Sequence, residues 1–200
     1  MNSNKKLLTI GSVAAVAAFG FGIPSGAATT TSPSHQAHAV AVSHVVKIKK
    51  VKFVGTYKGT IGLLMVGTAG GTANSVKVTS VKGTGTGTLL GRGTVTGTGS
   101  APAGAQTDPL TGKGVLSGSG SKLLVTVVTT KSYGTAAAES TPTSVSVSGT
   151  AKVTSGTGKY KGVSGNLTFK GSFSVKSNSA GSSESDAFTA TLSGTLTIKS

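Results

Sequence analysis

Near the C-terminus the chain alternates with a period of two: Phe188, Ala190, Leu192, Gly194, Leu196 and Ile198 fall between Thr189, Thr191, Ser193, Thr195, Thr197 and Lys199. Such alternation buries one face of an extended segment and wets the other, as in an antiparallel strand covered on one side. The same rule separates Leu167, Phe169, Gly171, Phe173 and Val175 from Thr168, Lys170, Ser172, Ser174 and Lys176. It separates Val145, Val147, Gly149, Ala151 and Val153 from Ser146, Ser148, Thr150 and Lys152. Three long amphipathic strands in succession are therefore predicted. Upstream the signal is shorter but repeated: residues 45–64, with a phase slip at Lys49-Lys50 that predicts a bulge, then 76–81, 85–90, 93–99, 115–118 and 123–130. This gives eight or nine strands, with residues 100–112 and 133–142 as the main loops.

Each of the three clearest strands carries a glycine on its apolar face: Gly149, Gly171 and Gly194. Glycine weakens a flat strand, yet it lets a strand coil sharply round a narrow barrel. Closure also removes the edges that would leave Val- and Thr-rich segments open to aggregation. The predicted fold is all-β: a small closed antiparallel β-barrel of about eight strands, favoured over a two-sheet sandwich.

The first 27 residues differ in kind. Lys5 and Lys6 precede a largely apolar run from Leu7 to Ile23, which Pro24 and small residues end. That is the layout of a secretory signal peptide, with cleavage expected after Ala27 and a second A-x-A site at Ala37-His38-Ala39. Residues 28–43 are small, polar and unpatterned, and read as a flexible tether. The barrel domain is assigned to residues 44–200. No later run approaches the ~18 apolar residues of a membrane-spanning helix. The expected product is secreted and extracellular, with no membrane attachment after signal cleavage. About 170 residues suffice for one domain burying roughly 70% of the surface of its unfolded chain.

Composition agrees. There are 31 glycines in 200 residues, with 4% aromatic and 12% charged residues, against about 25% charged in ordinary domains. The glycine load disfavours helix, and β-branched Thr and Val favour strand. Without cysteine there is no disulfide framework and no thiol nucleophile. Setting Lys5 and Lys6 aside leaves 17 basic residues against four acids, Asp108, Glu139, Glu184 and Asp186, a net charge of +13. Such a surface attracts polyanions.

The glycine-rich stretch Val153-Thr-Ser-Gly-Thr-Gly-Lys-Tyr-Lys-Gly-Val-Ser-Gly165 invites a phosphate-loop reading, but its spacing fits neither G-x-x-x-x-G-K-[ST] nor G-x-G-x-x-G, and a strand follows instead of a helix. Tight turns at residues 155–158 and 162–166 are expected instead, with Tyr160 folded back against the barrel rim. Gly156, Thr157, Gly158, Lys159, Tyr160, Gly162 and Gly165 match the V-T-G-G-T-G-[KR]-[YF]-x-G-A-x-G segment of allene oxide cyclase-like and dirigent-like barrels, while Ser155 and Val163 depart from it. Residues 145–198 thus resemble the end of that family. The resemblance implies an eight-stranded barrel around an apolar interior that holds small molecules, and it places no catalytic residue here.

Other chemistry is thin. His35, His38 and His44 lie in or beside the tether, without the preformed geometry a metal requires. Neither a metal nor a cofactor is expected. Glu184 and Asp186 read as solvated residues of a hairpin loop, not as a glycosidase pair. Lys50, Lys52 and Lys58 share one strand parity and offer an outer face for an anionic cell-surface polymer or nucleic acid, although the aromatics among them, Phe53 and Tyr57, fall on the opposite parity and cannot stack beside them. Phe169, Phe173, Phe188 and Leu192 point inward on parity, and with Tyr160 they form the candidate ligand-binding set. Two functions follow: a non-catalytic barrel holding a small hydrophobic molecule, and a structural or adhesive protein acting through its basic face. A cyclase-like or dirigent-like enzyme working by substrate orientation is the third.

Overall fold

The computed structural model describes residues 47–105 and 107–199. The signal segment 1–27, the tether 28–43 and the three histidines lie outside the described residues. The described residues form ten strands: β1 (Ile48–Val66), β2 (Ser75–Gly87), β3 (Gly91–Pro102), β4 (Thr107–Pro109), β5 (Thr111–Gly118), β6 (Ser121–Val127), β7 (Tyr133–Ala136), β8 (Thr143–Gly156), β9 (Ser164–Val175) and β10 (Ser183–Lys199). Eight of them form a closed up-and-down meander in the order β1, β2, β3, β5, β6, β8, β9, β10, every pair antiparallel. Closure comes from β1 and β10, the two longest strands, paired from Ile48↔Lys199 to Leu64↔Ser183. β4 and β7 pair with each other and prolong the β5–β6 hairpin, with β7 also on β8.

Tight turns make the meander possible. β5 and β6 are joined by Ser119 (φ +46°) and Gly120 (φ +70°), two left-handed residues whose twist matches that of the flanking strands. Between β8 and β9, Gly158 (φ +60°) opens a 3-10 turn and Gly162 (φ +76°) closes the corner.

The outward face is wet and the inward face apolar. On β10, Thr189, Thr191, Ser193 and Thr195 are exposed, whereas Phe188, Leu192 and Leu196 are buried. This is the reverse of a transmembrane barrel, whose outer band is apolar. All 17 described Lys and Arg side chains are exposed.

One end of the lumen is filled. Phe53, Leu90, Leu116, Leu123, Leu167 and Leu196 are fully buried there, each contributing about 1.5–3 kcal/mol relative to exposure. Tyr57 joins this cluster, and its hydroxyl is buried with no hydrogen-bond partner among the described residues. Burial pushes its pKa up.

Glycines set the spacing. A Cβ on Gly194 would lie 2.2 Å from the Asn166 carbonyl oxygen, and one on Gly93 would lie 1.8 Å from that of Ser117. Neighbouring backbones therefore approach where a narrow barrel curls most. Gly149 serves a different end: its absent Cβ would fall 2.2 Å from Ser132 Oγ. Here β8 changes partner from β6, ending at Val127↔Ala151, to β7, beginning at Tyr133↔Ser148. Fully buried Ser132 bridges the change by donating to Val128 O (2.9 Å) and accepting from Thr150 N (3.1 Å).

Several expectations need correction. No bulge occurs at Lys49-Lys50, where the β1–β10 register is continuous. Ile48 simply points outward at the strand end, 66% exposed. The bulge lies in β2 between Val78 and Val81 in its pairing with β3, which turns both valines inward, and the expected pieces 76–81 and 85–90 are joined through residues 82–84 into one strand that ends at Gly87. The expected loops 100–112 and 133–142 contain β4 and β7. Glu184 and Asp186 belong to β10, because that segment pairs with β1 as Leu63↔Glu184 and Ile61↔Asp186.

Two substitutions test this packing. Gly93→Ala should lower unfolding stability by about 1–3 kcal/mol through overpacking, while Gly104→Ala, whose Cβ would meet nothing within 4 Å, should leave the urea midpoint unchanged. Tyr57→Phe removes an unpartnered buried hydroxyl and should be at least as stable as the parent; a loss above about 1 kcal/mol would contradict that packing.

Candidate functional site

The other half of the lumen is open. A cavity of about 560 Å³ occupies it, walled by Ile61, Val81, Val125, Val147, Phe173 and Phe188. Its size comes from small inward residues. On β3 and β5, Gly97 faces Gly114 and Gly99 faces Gly112, and all four line the space. Gly134 and Ala136 of β7 and Ala190 of β10 add to it. At the paired glycines a Cβ would meet the neighbouring strand's backbone, as at Gly99, 2.4 Å from Thr111 O, so these positions hold the two strands close and carry no side chain into the lumen.

The mouth is built from loops. On one side residues 67–74 and 176–182 interlock: Ala73 N donates to Asn178 O (2.7 Å), Ala180 N to Gly71 O (2.9 Å) and Gly181 N to Met65 O (2.8 Å). Opposite stand the β4–β7 extension and the loop 137–142, carrying Asp108 and Glu139, which both border the cavity.

Phe169, Phe173, Phe188 and Leu192 all line this cavity, as their parity predicted. Tyr160 does not. It folds against the opposite, filled end as expected of a rim residue, 5% exposed, and its hydroxyl donates to the Leu89 carbonyl of the β2–β3 loop. There it closes the barrel floor, so its place in the ligand-binding set is corrected. Thr157 fastens the same corner through Lys122: its amide donates to Lys122 O (2.9 Å) and its hydroxyl accepts from Lys122 N (3.1 Å).

Lys50, Lys52 and Lys58 are exposed on the outside of β1, opposite Thr197, Thr195 and Thr189. At about 3.3 Å per residue, Lys58 stands about 20 Å along the strand from Lys52, with outward Val54 and Thr56 between them. The three form two separate positions, not one compact patch.

The acids of β10 are not simply solvated. The β9–β10 ladder ends at Thr189↔Ser172, leaving amides of β9 without strand partners. Asp186 Oδ2 accepts from Ser174 N (3.1 Å), and the Glu184 carboxylate accepts from Lys176 N (3.0 and 3.2 Å). Lys176 Nζ lies 3.5 Å from Asp186 Oδ1. The two acids thus replace ladder bonds where the strands part, a structural duty that leaves neither for glycoside chemistry. The Ala187 amide, aided by Lys176 and Ser174, holds the Asp186 carboxyl below its usual pKa against a smaller opposing effect of burial. Among the described residues no three His, Cys, Asp or Glu side chains come together as a metal site.

Fold and cavity define a class: an up-and-down eight-stranded barrel with a polar exterior, one filled end and one open apolar end. No protein-family model, curated protein or solved structure matches the chain.

The depressed Asp186 pKa has a definite sign. Its contribution is complete above the unfolded carboxyl pKa, near 3.9, and is lost as pH falls through the lower folded value. An NMR titration should show the Ser174 amide shifting with a midpoint below about 3.9; a midpoint above that value would contradict the assignment.

Proposed function

We propose that this protein is a secreted, non-catalytic barrel that carries or sequesters a small hydrophobic molecule in its lumen. The observation that supports this best is the one-ended cavity of about 560 Å³ with walls of Val, Ile, Phe and Gly. Ligand sites typically span about 300–1,000 Å³, with mostly apolar linings and few polar groups. Barrel interiors otherwise fill to close-packed density, and the floor of this one does. Retaining unfilled space at the opposite end, behind paired glycines, is consistent with a guest. The resemblance of residues 145–198 to the allene oxide cyclase-like and dirigent-like barrels points the same way, toward an apolar interior that holds small molecules.

The basic exterior accounts for solubility and for loose attraction to polyanions. Its lysines are spread round the wall, so the reading as a polyanion-binding face gains no specific support from their arrangement.

Uptake of a fluorescent apolar probe such as 1-aminoanthracene tests the proposal. The parent protein should bind it, Ala136→Phe and Ala190→Phe should weaken binding at least tenfold by filling the lumen, and Lys50→Glu/Lys52→Glu should leave it unchanged. No uptake by the parent, or uptake unaffected by both filling substitutions, would overturn it.

A further inference from the structure

We propose that the lumen selects an apolar molecule ending in a cationic amine, whose ammonium rests at the mouth on the Asp108 carboxylate. This inference rests on the cavity reading above and adds the chemistry of the head group. Asp108 lies on β4 opposite Gly134 of β7, and cross-strand partners share a face of the sheet. Gly134 is buried and lines the cavity, while Thr107 and Pro109, the neighbours of Asp108, are exposed. The Asp108 side chain is therefore on the lumen-facing side, above a position with no Cβ. It has no hydrogen bond or ion pair among the described residues.

Charge is sorted by position. The net charge of +15 over the full chain argues for an anionic ligand, but every described basic side chain is exposed. Lys113, the one described basic residue bordering the cavity, alternates with inward Gly112 and Gly114 and so points away from it. Of the four acids, Asp186 is engaged by the β9 amide of Ser174 and Glu184 by the Lys176 amide just past β9. The remaining two, Asp108 and Glu139, both border the cavity. A carboxylate-headed ligand would meet Asp108 with no cation beside it. A neutral hydroxyl head can donate one hydrogen bond to a carboxylate but leaves its charge uncompensated, whereas an ammonium supplies donors and the compensating charge together.

Matched probes of equal chain length, 1-decylamine, 1-decanol and decanoate, separate these cases by isothermal titration calorimetry. Decylamine should bind about fivefold more tightly than decanol, the scale of a partly exposed ion pair, with decanoate the weakest. Asp108→Asn should reduce the amine-to-alcohol ratio to about one, chiefly by weakening decylamine, and Glu139→Gln should reduce it less. In the parent protein, 1 M NaCl should suppress the amine preference and spare decanol binding, since salt screens charge and not apolar contact. Decanol uptake with no amine preference, a preference for decanoate, or an amine preference that survives both Asp108→Asn and high salt would overturn this inference alone. Failure of decanol itself to bind would overturn the cavity reading and this inference with it.

Discussion

The close approach of neighbouring strand backbones across inward glycines is the constraint on which the rest of this structure depends. At Gly194 and Gly93 the next strand's carbonyl oxygen occupies the space a side chain would need. That lets eight twisted strands close with β1 against β10 and leaves no ring strand with a free edge. The close approach has a second consequence. A glycine that permits curvature also removes volume from the lumen, so each one must be balanced by a larger inward neighbour or leave space behind.

The two ends of the barrel resolve this differently. Toward the floor, Phe53, Tyr57 and a ring of leucines fill the lumen, and Tyr160 seals it by bonding across to the β2–β3 loop. Toward the mouth, glycine faces glycine between β3 and β5, and Ile61, Phe173 and Phe188 wall the remaining space without filling it. The floor supplies stability through buried area, while the mouth retains a volume suited to a guest. Charge is sorted as well: every described cation is exposed, and the two uncommitted acids, Asp108 and Glu139, border the cavity.

Much of the wall was legible in the sequence. Period-two alternation placed β8, β9 and β10 and the inward set Phe169, Phe173, Phe188 and Leu192, because a side chain's face depends only on local parity. What escaped depends on pairing. The β2 bulge shifts parity between Val78 and Val81, inside one expected strand piece, and only the pairing with β3 reveals it. Glu184 and Asp186 sit in a run of small polar residues without alternation, and only their register with β1 makes it a strand. The cavity itself is a cross-strand property: the predicted strand 93–99 gives no sign that Gly97 and Gly99 will face Gly114 and Gly112. Asp108, in a three-residue strand between turns, carries too little pattern for its face to be predicted.

The central claim is that the lumen beyond Phe169 and Phe188 is an enterable apolar space. Anomalous diffraction from crystals of the protein soaked in iodobenzene tests it directly. The structure predicts an iodine peak inside the ring between Phe188 and the Gly97–Gly114 pair; side chains or loops closing that space, with no iodine inside the ring, would contradict it.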